Sequence, residues 1–177
     1  MAIRSARGPE RARDDAEFFA ACSQLRRSID GLDGALEWPT LRAMLPDLTG
    51  RSVLDLGCGF GWFCRRAAIT GAARVVGIDL SERMLTRARA EHDDRIEYQR
   101  QDLDQVELPA RVFDVAYSSL TLHYLTNLDH RLGQVHRALV PGGLFVFSVE
   151  HPILTAPPDR ASSQPPMVDW CGPSSAT

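Results

Sequence analysis

The run Val53-Leu54-Asp55-Leu56-Gly57-Cys58-Gly59-Phe60-Gly61 decides the fold. Its mainly apolar first half suits a short buried strand, and three glycines at alternate positions then break it. Glycine lets the backbone turn sharply and approach a ligand where a Cβ would collide, while a helix starting after it offers unpaired N–H groups to an anionic end. A dinucleotide fingerprint requires Gly-x-Gly-x-x-Gly. Counting from Gly57 puts Trp62 at the third position, and counting from Gly59 puts Cys64 there, so neither frame matches. Asp55, just ahead of the glycines, is awkward beside a pyrophosphate and favourable beside a zwitterion that carries an ammonium and a sulfonium.

Outward from this run the chain alternates. Strands are predicted near 52–56, 73–78, 95–99, 112–117 and 143–149, with helices at 60–70, 82–91 and 127–139. Strands alternating with helices imply right-handed crossovers and a parallel sheet covered on both faces. Gly71 is expected to close the first crossover helix and Pro141-Gly142-Gly143 to turn the last one into its strand. Thr126 to Asp129 has the spacing of a capping box, and Leu128, Leu132, Val135 and Leu139 fall on one helical face. Upstream, helical spacing over 16–27 and again over 39–45 predicts an N-terminal helical cap. The fold class is thus α/β, a Rossmann-like doubly wound, mostly parallel sheet. The expected division is a cap (1–49), a core (50–151) and a Pro/Ser-rich tail (152–177) that leaves no room for a C-terminal antiparallel hairpin.

Composition narrows the function. The 177 residues are 44% hydrophobic with a net charge of −3, which fits one globular fold without the basic stripe of a nucleic-acid binder. There is no lysine, which removes the Walker lysine, Schiff-base lysines and the Tyr-x-x-x-Lys pair. Cys22, Cys58, Cys64 and Cys171 lack zinc-type spacing and read as reduced thiols. No apolar run approaches the ~18 residues of a membrane span, and no leader precedes the arginine-bearing N-terminus, so a cytoplasmic setting without membrane contact is expected.

Asp55 to Gly61 resembles motif I of class I S-adenosylmethionine-dependent methyltransferases, with further similarity over residues 50–150. Val75-Val76-Gly77-Ile78-Asp79-Leu80-Ser81 is similar to the second motif, which implies that Asp79 receives the ribose hydroxyls with Leu80 beside it. A carboxylate accepts two such bonds at once. Arg100-Gln101-Asp102-Leu103 resembles the third motif. This gives Asp102 the adenine amino group and the Leu103 N–H a ring nitrogen, with Met84 packing beside the adenine. Phe113 to Ser119 resembles the fourth motif and places Ser118 at the cofactor. Phe18-Phe19-Ala20 and the stretch Gly31 to Pro39 resemble the cap of a bacterial small-molecule subgroup. There Arg27 pairs with the methionine carboxylate and Trp38 walls the site; the other reading is a surface arginine and a packed tryptophan.

The resemblance implies S-adenosylmethionine as cofactor and in-line methyl transfer to a small-molecule acceptor. Methyl transfer chiefly needs alignment and exclusion of water. His123, after the fourth strand, and His151, after the fifth, are candidate bases for an acceptor that must lose a proton; a packing role for His123 is the alternative. Ser118-Ser119 departs from the Asn/Asp-Pro-Pro-Tyr signature of enzymes that methylate nucleobase amines. Two other readings stay open: a cofactor-binding remnant or regulatory domain without turnover, and a nicotinamide-dependent oxidoreductase. A fifth strand left at the sheet edge predicts self-association through that edge.

Overall fold

The computed structural model describes residues 16–91 and 93–150; the tail from 152, His151 and the question of a further hairpin lie outside them. The cap opens with α1 (Ala16–Ser23) and α2 (Arg26–Ile29), followed by a 3-10 turn (Gly31–Gly34) and α3 (Trp38–Met44). The single helix expected over 16–27 is therefore two. Ser23 Oγ donates to the Phe19 carbonyl at 2.7 Å, an i−4 back-bond that competes with helix continuation. Leu25 then turns extended (φ −67°, ψ 147°) before α2. Pro39 falls in the first turn of α3, where its missing N–H costs nothing.

The core follows as β1 (Ser52–Leu56), α4 (Trp62–Ile69), β2 (Arg74–Asp79), α5 (Glu82–Arg89), β3 (Ile96–Arg100), β4 (Phe113–Ser119), a 3-10 turn (Leu122–Tyr124), α6 (Leu128–Ala138) and β5 (Leu139–Ser148). The described strands form one sheet in the order β3-β2-β1-β4-β5, and every pairing is parallel. Val53, Leu54 and Leu56 of β1 are fully buried, as the central strand of a sheet covered on both faces requires. One apolar cluster joins Val53 and Val75 to Phe63, Ala67, Leu85 and the cap residues Trp38 and Leu41. The other joins Leu54, Val76 and Ile78 to Leu103, Val106, Val135 and Ala138. The chain winds outward from β1 through β2 to β3, then returns to the other side of β1 as β4. That reversal is a topological switch point at the carboxyl ends of β1 and β4, where ligands bind in such sheets.

Gly71 (φ 98°) closes α4 as expected: its N–H reaches Ala68 O and the Ala72 N–H reaches Ala67 O, both at 3.0 Å, the pattern of a Schellman motif. Three local expectations are corrected. The cap of α6 is Asn127, whose side chain accepts from the His130 N–H, while the Thr126 N–H donates to the Asp104 carboxylate. The buried face of α6 is Arg131, Val135 and Ala138, whereas Leu128 is 39% exposed. Pro141-Gly142-Gly143 does not precede β5 but bulges within it. Phe113 pairs Leu139 and Val115 pairs Leu144, so the turn residues loop out between two pairings with Gly142 at φ 81°. Among the cysteines, Cys58 and Cys64 are free and buried. Cys22 is disulfide-bonded, a correction that no Cys-x-x-Cys spacing announces. No helix among the described residues is long and apolar enough to cross a membrane.

Candidate cofactor site at the carboxyl ends of β1, β2 and β4

The chain leaves β1 through Gly57 (φ 77°), Gly59 (φ 52°) and Gly61 (φ 74°), all in the left-handed region. The Gly57 and Cys58 N–H groups both donate to Ile78 O, at 2.8 and 3.0 Å, which ties the loop to the end of β2. Gly57 has a steric reason beyond its φ, since a Cβ there would collide with the Thr121 side chain. At Gly59 the space is open, and the nearest atom to a Cβ would be Met84 Sδ at 3.8 Å. The loop thus presents a backbone cradle bordered by a thioether that suits an aromatic base or an apolar chain.

Asp79 ends β2 and braces this cradle. Its Oδ2 accepts from the Gly59 N–H at 2.8 Å and its Oδ1 from the Ser81 N–H at 2.9 Å. A carboxylate has about four acceptor sites, which suits it to reading paired hydroxyls. Ser81 caps α5 by accepting from the Met84 N–H, which fixes Met84 beside Gly59. Leu80 is buried next to Asp79. After β3, Gln101 N–H donates to Asp79 O at 3.1 Å, bringing Asp102 and Leu103 to the same end of the sheet. Asp102 Oδ1 accepts from the Asp104 N–H at 2.9 Å and Oδ2 from the exposed Gln105 Nε2 at 3.2 Å. Leu103 is 4% exposed and packs into the cluster beneath.

Two residues expected at the cofactor lie deeper. Asp55 is 2% exposed, and its Oδ2 accepts from Cys64 Sγ at 3.2 Å. Burial, helped by the charge of Asp79 and opposed by the Cys64 bond, pushes its carboxyl up to about 7. Ser118 is fully buried and donates to Leu56 O at 2.8 Å, pinning β4 to the start of the glycine loop. Burial likewise raises the Cys58 thiol to about 11 and the Cys64 thiol well above its usual value, so both stay protonated and inert.

The cap reaches the crevice through Arg27. Its Nη1 lies 3.1 Å from Glu37 Oε1, and its Nη2 donates to Ser119 Oγ at 3.2 Å. Ser119 Oγ in turn donates to Glu37 Oε1 at 2.8 Å, so a three-way polar knot fastens the cap over the end of β4. Trp38 is buried against Phe63 with ring centroids 6.3 Å apart and serves the core. His123 sits in the 3-10 turn after β4, its Nε2 4.0 Å from Glu150 Oε2; the two side chains are 10% and 18% exposed. Sequence reasoning missed Glu37, Ser119, Thr121 and Glu150. Glu37 and Ser119 flanked residues already singled out, but a contact 82 positions apart along the chain leaves no periodic trace.

Glycine cradle, bracing Asp79, adjacent Met84 and Asp102, and a cap-borne arginine together fit an adenosyl group joined to an amino-acid carboxylate. The comparisons agree. The structure is similar to that of an S-adenosylmethionine-dependent methyltransferase from Mesorhizobium loti, at 60% identity and TM-score 0.70 over 72% of this chain and 58% of that one. A protein of Haemophilus influenzae is 37% identical over 149 residues, 80% of this chain and 59% of its own length. A malonyl-[acyl-carrier protein] O-methyltransferase of Pectobacterium atrosepticum is 37% identical over 61% of this chain and 42% of that protein. The chain thus spans about half the length of these two curated relatives. The methyltransferase-domain profile matches residues 54–147, which is more than half of the chain. The chain belongs to the methyltransferase-domain family.

Proposed function

We propose that this chain binds S-adenosylmethionine and directs its methyl group to a small-molecule acceptor. The observation that carries the reading is the bridge from the Gly59 N–H to Asp79 Oδ2. It joins the glycine cradle and the ribose-reading carboxylate into one rigid unit beside Met84 and the Asp102 turn. A small molecule is favoured over a nucleic acid because the net charge is −3 and lysine is absent.

When bound, the cofactor supplies a methyl group on a positively charged sulfur that leaves as a neutral thioether. The chain's residues divide the remaining work. Asp79 accepts the ribose hydroxyls, Asp102 accepts the adenine amino group, and Arg27 exchanges Glu37 for the cofactor carboxylate, a bidentate match for its guanidinium. The cap held at Ser119 covers the crevice and excludes water. His123 takes the acceptor's proton at Nδ1, and the Glu150 carboxylate beside Nε2 stabilises the resulting imidazolium.

Calorimetric titration of the full chain with S-adenosylmethionine, S-adenosylhomocysteine and NAD tests the binding step; binding of NAD alone would overturn it. Methyl release from S-adenosylmethionine against a metabolite extract tests turnover. Cofactor binding without release supports the alternative of a regulatory domain. H123A is expected to lower turnover roughly 10²-fold or more with cofactor affinity unchanged; full turnover removes His123 from the mechanism.

A further inference from the structure

Arg131 is the largest fully buried side chain among the described residues, at 1% exposure. A cation so placed on α6 is costly, and a well-packed apolar residue of similar volume would usually serve stability as well or better. Its Nη1 donates to Val106 O at 2.6 Å, while its Nε finds no partner. Val106 closes the turn that Asp102 opens: Asp102 O accepts from the Gln105 and Val106 N–H groups at 2.9 and 2.8 Å, and Asp102 Oδ1 accepts from the Asp104 N–H. The far side of the turn is held by the Asp104 carboxylate, which accepts from the Thr126 N–H just before α6. Leu103 and Val106 share one apolar cluster with Val135 and Ala138, so the turn lies flat on α6 with Arg131 as its polar attachment. Burial lowers the guanidinium's proton affinity, and the charges of Asp104 and Asp102 oppose this, which places all three groups in one field.

We propose that Arg131 is a positioning residue that sets the adenine specificity of the cofactor site, by clamping the 102–106 turn so that Asp102 faces the 6-amino group. The inference rests on the assignment of Asp102 under the proposed function. A buried donor to Val106 O fixes the end of the turn and with it the direction of the Asp102 carboxylate. An apolar residue at 131 fills the space but supplies no such donor.

The test compares S-adenosylhomocysteine with S-inosylhomocysteine, in which a carbonyl replaces the 6-amino group, by calorimetry on the full chain. The parent chain is expected to prefer the adenosyl compound at least tenfold, because the inosyl carbonyl faces the Asp102 carboxylate. R131M is expected to reduce that preference to within about twofold, with R131K in between. V135A, which loosens the same helix without touching the turn's polar attachment, is expected to keep the full preference, so lost stability alone does not imitate the effect. Full preference in R131M overturns the proposal, as does full preference in R131K if R131M does not fold. Loss of preference in V135A overturns it too, by showing that helix loosening suffices. A parent chain that binds both compounds equally overturns the Asp102 assignment together with the proposal, a failure distinguishable from that of Arg131 alone.

Discussion

At the scale of single residues, Asp55 and Asp79 show how one residue type is put to two uses by depth. Asp55 lies under the glycine loop with its carboxyl near 7, far above the ~3.9 of an unfolded chain. A carboxyl raised on folding contributes stability that is fully present below about pH 4 and lost as pH rises through about 7. Urea midpoints are therefore expected to fall between pH 5 and pH 8, by on the order of a few kcal/mol in unfolding free energy. D55N is expected to flatten that slope; an unchanged slope would show that burial does not set it. Asp79 is partly buried and already braces the loop. D79N keeps the side chain's shape but replaces one acceptor oxygen with a donor and removes its charge. It is expected to weaken S-adenosylmethionine binding at least tenfold by calorimetry, the loss of roughly one charged hydrogen bond.

At the scale of elements, the helix caps decide where site residues stand. Ser81 accepts from the Met84 N–H, so S81A is expected to cost about 1 kcal/mol of stability in chemical denaturation and to weaken cofactor binding as Met84 loosens; wild-type stability would discount the cap. The strands and crossover helices were legible in the sequence because each has a period, and the observed α4, α5 and β1 to β4 fall within two residues of their expected bounds. What lacked a period was missed. Burial of Arg131 contradicts its residue type, so the expected apolar stripe held at Val135 and Leu139 but took in the exposed Leu128 and left out Arg131. Asn127 rather than Thr126 caps α6, and the Thr126 N–H goes instead to Asp104, 22 positions earlier. The bulge at Pro141-Gly142-Gly143 depends on which β4 residue each side meets. That Asp79 and Asp102 stand at the ends of neighbouring strands was legible, whereas the burial of Asp55 and the cap's attachment through Glu37 and Ser119 were not.

At the scale of the whole molecule, the described sheet ends at β5, with Leu144, Phe147 and Val149 each more than 40% exposed. An open edge beside such side chains invites a second copy. Concentration-dependent association is expected in sedimentation velocity and is expected to weaken in F147K, a charge placed on the edge; a monomer at all concentrations would remove the edge from consideration. The cap and core meet elsewhere too: Gly31 lies so close to the Trp62 ring that a Cβ would overlap the indole, and the Arg65 guanidinium sits 4.5 Å from that ring's centroid. Trp62 opens the helix that follows the glycine cradle. Its fluorescence, taken as the difference between the parent chain and W62F because Trp38 and Trp170 also emit, is therefore an optical gauge of the contact between cap and core.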